Sequence, residues 1–102
     1  MRLKPDDRYN QILDAAVRVA ERTGYRALKR EDVAAEAGVS PALVSHYYLL
    51  IELLRSEVLA AAVHRGVLPI VAEGLVAGDP VAVGACADLR ARAAVSLIGG
   101  GL

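Results

Sequence analysis

The side chains capable of chemistry in this sequence gather in one short segment, Ala37-Gly38-Val39-Ser40-Pro41-Ala42-Leu43-Val44-Ser45-His46-Tyr47-Tyr48. Two hydroxyls, an imidazole and two phenols follow each other there, on small or hydrogen-bonding side chains. Catalysis asks for more than this. No nucleophile stands beside a recognisable base motif, no HExxH occurs, and no Gly-rich loop opens a helix. The run Gly99-Gly100-Gly101 comes at the end of the chain and leads into no helix. The expectation is a protein that is not an enzyme and uses no cofactor. The single Cys86 can form no internal disulfide, no Cys/His spacing suggests zinc, and the residue reads as a small buried one. His64 reads as a partner for the negative end of a helix dipole.

The elements that must position this segment are helices. Ser40 followed by Pro41 is a helix start: a capping hydroxyl, then a residue whose missing N–H costs nothing in the first turn. Gly38 permits the tight turn before it, so two helices joined there form a helix-turn-helix arrangement. A first helix opens near Asp6 or Asp7, either of which can cap it, and carries the stripe Ile12, Leu13, Ala16, Val17 and Ala20. Thr23-Gly24 ends it, with Gly24 suited to a left-handed cap. A short second helix runs from Lys29 or Arg30 to Ala37, with Val33, Ala34 and Ala37 inward. After Tyr48, a long helix passes through Leu53, Leu54 and Val58 to His64 or Arg65 and stops at Gly66. Leu68 to Ala77 is a further helix, and Asp79-Pro80 restarts one that reaches about Ile98. Gly99-Gly100-Gly101 is expected to fray. No alternating strand pattern appears, and the chain reads all-α.

The 102 residues hold 12 basic and 12 acidic side chains, 55% hydrophobic residues and neither Trp nor Phe. That length suits one domain with an appended helical arm and excludes two-lobed enzymes and doubly wound sheets. Zero net charge argues against a nonspecific polyanion binder but leaves room for a local basic face. The charge is unevenly spread: residues 1–57 carry 18 charged side chains and residues 58–102 only 6. With a mean hydropathy of +0.36, the chain has more apolar surface than one small monomer readily hides. Residues 1–57 therefore read as one polar-faced domain, and residues 58–102 as a short helical dimerisation region. The first residues lack the apolar stretch of a signal peptide, and no run approaches the ~18 apolar residues of a membrane span. A cytoplasmic protein without membrane contact is expected.

Residues 9–54 resemble the DNA-binding domain of the TetR family of bacterial transcriptional regulators. The resemblance rests on Ile12-Leu13-Asp14-Ala15-Ala16, Gly24-Tyr25, Asp32-Val33-Ala34-x-x-Ala37-Gly38-Val39-Ser40, Tyr47-Tyr48 and Leu53, in that order. It implies a three-helix helix-turn-helix domain, a homodimer, and a recognition helix near Ser40 lying in the major groove of double-stranded DNA. Position by position, it puts Ser40, Pro41, Ala42, Ser45 and His46 toward the bases, and Tyr47, Lys29 and Arg30 nearer the phosphates. Hydroxyl and imidazole groups can hydrogen-bond base edges, and Ala42 can meet a thymine methyl. The implied function is that of a sequence-specific repressor or autoregulator on a pseudo-palindromic operator.

Departures from the family pattern keep alternatives open. Lys29 stands where a small hydroxyl residue usually caps the second helix, Ser45 where an aromatic residue usually contacts phosphate, and Ile51 near where a Lys is common. His46 reads either as a base or phosphate contact or as an exposed or capping side chain. The cluster Arg22, Arg26, Lys29 and Arg30 reads either as a DNA-facing patch or as a solvated surface, and Arg2, Lys4 and Arg8 as a basic arm or an ordinary terminus. The part after residue 57 is short for an enclosed pocket, so no small-molecule ligand is expected. The second functional reading is a protein-interaction module that pairs with another protein through its apolar C-terminal helices.

Overall fold

The computed structural model describes residues 4–99. Arg2, Gly100 and Gly101, to which the sequence assigned an arm and a frayed end, lie outside the described residues. Among the described residues the chain is all-α: α1 (Pro5–Thr23), α2 (Arg30–Ala37), α3 (Pro41–Tyr47), α4 (Ile51–Arg65), α5 (Leu68–Ala77), α6 (Pro80–Val83) and α7 (Ala87–Gly99). They divide into two compact units, Met1–Val58 and Leu59–Leu102, and the division falls within α4.

The first unit is built on the apolar stripe of α1. Ile12, Ala15, Ala16, Val17, Val19 and Ala20 are buried, and Val33 and Ala34 of α2, Val44 of α3 and Leu54 and Val58 of α4 complete the core with Tyr25, Leu28 and Tyr48. Each fully buried Leu, Ile or Val contributes about 1.5–3 kcal/mol, and no polar or charged residue is buried among those described. Alanine supplies much of the α1 face, so α2 can approach it closely. Lys4, not Asp6 or Asp7, occupies the position before α1, without a side-chain cap. Pro5 accounts for this shift: it starts the helix a residue early, leaving both aspartates inside the first turn, where the positive dipole end favours them. Gly24 ends α1 at φ 92 and ψ 143, a positive φ but not the left-handed helical cap expected. Arg8 lies within α1 rather than on a basic arm, and donates to Gln11, which in turn donates to the Ala37 carbonyl.

In the second unit Leu59 and Ala62 at the end of α4, Ile70, Val71 and Ala72 of α5, Ala82, Ala85, Leu89 and Ala93 form a separate core. Gly74 marks its closest approach: a Cβ there would lie 2.8 Å from the Ala82 Cβ and 3.0 Å from a Leu59 methyl. Asp79 caps α6 through its carboxylate, which accepts from the Val81 N–H at 3.0 Å, as the sequence implied. The helix does not continue to Ile98. It stops after Val83, the Ala85 N–H turns back to the Ala82 carbonyl, and α7 begins with the Arg90 N–H on the Cys86 carbonyl. Gly84, a weak helix former, sits at the interruption. The turn also leaves Cys86 exposed, against the expectation of a buried thiol.

Candidate nucleic-acid interface

The presentation of α3 follows from three residues. Gly38 adopts the left-handed conformation, φ 72 and ψ 33, where it donates to Ala35 while Val39 donates to Ala34. These two bonds satisfy the last carbonyls of α2 and turn the chain sharply. Ser40 then accepts from the Leu43 N–H through its hydroxyl at 3.1 Å, and Pro41 takes the first turn. Val44 anchors the helix, since its side chain is fully buried in the first core. Ala42, Ser45 and His46, spaced three and four apart, share one helix face. Ser40, Pro41, Ala42 and His46 are exposed, whereas Ser45 and Tyr47 are half-buried.

The far end of α3 is held by aromatic packing that local sequence patterns did not reveal. The Tyr9 ring of α1 meets Tyr47 edge-to-face at 4.6 Å and Tyr48 at 5.6 Å, and the His46 ring stands 5.1 Å from Tyr47. Tyr48 is buried, and its phenol donates to Glu57 Oε2 at 2.6 Å. Burial first, then the hydrogen bond to the Glu57 carboxylate, push the Tyr48 phenol well above the usual tyrosine range. Tyr9 was missed because its partners come from the distant end of the domain. Its only local signal is its place one turn before Ile12.

The basic side chains separate into two groups. Arg18 and Arg22 both bind Glu36, at 3.0 Å and 2.7 Å, and these two hydrogen bonds, Arg22 first, hold the Glu36 carboxyl below the usual carboxylate range. Arg22 is thereby tied into a surface ion-pair triad. Around the start of α2 a small cleft of about 180 Å³ is lined by Lys29, Arg30 and Arg55, with Leu28, Glu31 and Ile51. Lys29 precedes α2 in extended conformation, is exposed, and makes no side-chain cap. Arg30 Nη2 donates to the Leu49 carbonyl at 2.7 Å, bracing the turn between α3 and α4. Arg55, which the sequence reading passed over, donates through two nitrogens to the Leu28 carbonyl at 2.8 and 3.3 Å. Three basic residues thus line the cleft at the start of α2, with Glu31 as the single carboxylate in the lining among the described residues.

A short capped helix, presented by a tight turn and held from behind by a small core, is the working part of a helix-turn-helix nucleic-acid-binding domain. Residues 12–48 match the family model of the bacterial regulatory proteins, tetR family. This segment is similar to that family of regulators. No curated protein and no solved structure matches the chain. Among the described residues no group of three His, Cys, Asp or Glu side chains could hold a metal ion, and no helix is long and apolar enough to cross a membrane.

Proposed function

We propose that the chain is a homodimeric, sequence-specific transcriptional repressor or autoregulator that binds a pseudo-palindromic operator on double-stranded DNA in the cytoplasm. The observation that carries this reading is the exposed face of α3, with Ser40, Pro41, Ala42 and His46 open to a partner while Val44 is locked in the core. In this reading Ser40, Pro41, Ala42, Ser45 and His46 face the bases. Lys29, Arg30 and Tyr47 hold phosphates and set register. Residues 1–57 form the DNA-binding domain and residues 58–102 the dimerisation region. Exposed Val76, Val81, Val83, Val95, Leu97 and Ile98 support the latter, because a twofold interface would bury such side chains.

A gel shift on the chain's own upstream region tests the proposal. A retarded complex that weakens as salt rises is expected. His46→Ala should change which sequences are bound, not merely how tightly. Absence of any shift on upstream or genomic fragments at low salt rejects the reading. Unchanged preference in His46→Ala rejects the base contact.

A second reading, a module that pairs with another protein, draws on Leu49, Leu50 and Leu53, which are 77%, 55% and 54% exposed beside the recognition helix. Light scattering separates the two. A stable homodimer favours the repressor, and a monomer that orders only with a partner favours the module.

A further inference from the structure

Two guanidinium groups converge on the start of α2, and each holds a backbone carbonyl. Arg55 of α4 donates through Nη2 and Nε to the Leu28 carbonyl at 2.8 and 3.3 Å, in part-buried bonds between residues 27 apart in the chain. Arg30, the first residue of α2, donates through Nη2 to the Leu49 carbonyl at 2.7 Å, two residues before α4 begins. The bonds close a ring within the first unit: from α4 to Leu28, along the chain to Arg30, across to Leu49, and back into α4. The ring matters because α2 starts without a local device. Lys29 caps nothing with its side chain, so the free amides of the first turn take no orientation from it. The Leu28 side chain is fully buried, but burial of a side chain leaves the next peptide free to turn. That peptide is planar, so a donor fixed on the Leu28 oxygen also fixes the Lys29 N–H at its other edge.

We propose that Arg55 is a positioning residue for DNA binding, which holds Lys29 in place for its phosphate contact; this rests on the reading of the chain as a DNA-binding regulator. Arg55 acts through the Leu28–Lys29 peptide and not as a charge laid against phosphate. Two of its nitrogens already point at one carbonyl, so its fork of donors is spent on backbone. Lys29, by contrast, is exposed and leads directly from the peptide that Arg55 holds. A donor at position 55 is therefore what the contact needs, and a positive charge there is not.

The test compares two variants of the full chain. Arg55→Met keeps an unbranched stem and removes every donor. Arg55→Gln puts an amide nitrogen in the place of Nε, 3.3 Å from the Leu28 oxygen, without the charge. In NMR spectra without DNA, the Leu28 carbonyl carbon and the amides of residues 29–31 should move in Arg55→Met and stay near wild type in Arg55→Gln. In gel shifts, at a temperature where circular dichroism shows each protein folded, Arg55→Met should weaken binding about three- to tenfold, the worth of a hydrogen bond. Arg55→Gln should recover most of that loss. On a Lys29→Ala background Arg55→Met should cost less than about twofold, because the group it positions is gone. Equal losses in Arg55→Met and Arg55→Gln overturn the proposal, since a guanidinium touching phosphate would give that result. So do equal losses with and without Lys29, an undisturbed Leu28 carbonyl in Arg55→Met, or lower stability with wild-type affinity. A wild-type chain that binds no DNA rejects the underlying reading instead, and the NMR comparison still decides whether Arg55 sets the start of α2.

Discussion

The Tyr48 phenol donates a hydrogen bond to Glu57 Oε2 at 2.6 Å, and this bond ties the end of α3 to the middle of α4. It acts where helical structure lapses, across residues 48–50, so it fixes the exit of α3 through a side chain. Tyr48→Phe should leave the ring in the core and remove only the bond. A loss of about 1–2 kcal/mol is expected in urea unfolding, since the acceptor is charged but water can reach the exposed Glu57. The same bond sets an alkaline limit. With the folded-state phenol raised above its ordinary value of 10.0, its stabilisation is complete below that pH. It is lost as pH rises further, because the unfolded chain ionises first. Unfolding midpoints measured from pH 9 upward should therefore fall more steeply for the wild type than for Tyr48→Phe.

Glu36 predicts the opposite limb. Its carboxyl is held below the ordinary value of 4.5 by hydrogen bonds from Arg22 and Arg18, so their stabilisation is present above that pH. It disappears as pH falls through the lowered value, when the folded state must take up the proton. Glu36→Gln should lower stability modestly at neutral pH and flatten the decline between pH 5 and the acid limit. The triad is exposed, so added salt should shrink the difference between the two proteins. A difference that persists undiminished in high salt would contradict an ion-pair origin.

Helix α3 was legible in the sequence because its determinants are local. Gly38, Ser40 and Pro41 each act within four residues, through a positive φ, a hydroxyl cap and a fixed φ. What stayed hidden depends on distant chain. Tyr9 matters through Tyr47 and Tyr48, Arg55 through the Leu28 carbonyl, and Arg22 through Glu36. The break between α6 and α7 was concealed for another reason. Ala82, Ala85, Leu89 and Ala93 keep a helical period straight across it, so hydrophobic spacing alone describes one continuous helix. Only Gly84 signals the interruption, and a single glycine is tolerated within many helices.

Gly74 yields a prediction about the second core. Within a helix, Gly→Ala normally stabilises by about 1 kcal/mol. Here the new methyl would stand 2.8 Å from the Ala82 Cβ, an atom fixed to backbone that no rotamer change can move. Overpacking of this kind costs about 1–3 kcal/mol, so the sign should reverse and Gly74→Ala should destabilise. The double variant Gly74→Ala/Ala82→Gly relieves the contact and should recover part of the loss despite its added glycine. Thermal unfolding of the three proteins decides it, and a stabilised Gly74→Ala alone would show that α5 and α6 can separate freely.

Lys29 offers the sharpest division between folding and binding. Its backbone, φ −123 and ψ 148, is already that of a helix cap, but its side chain caps nothing. Lys29→Thr places a hydroxyl where the free amides of α2 can use it, and should raise stability by about 1 kcal/mol. It also removes a cation from the cleft at the start of α2, so a Lys29–phosphate contact predicts weaker operator binding. The slope of log affinity against log salt should become shallower by about 0.9 per lost phosphate contact, with sequence preference intact. Arg30→Ala should behave differently, because it also frees the Leu49 carbonyl that Arg30 Nη2 holds at 2.7 Å. That variant should lose stability as well as affinity. Paired urea unfolding and salt-dependent gel shifts separate these cases: a stabilised Lys29→Thr with unaltered salt slope would remove Lys29 from the DNA contact and leave it a helix start that forgoes a cap.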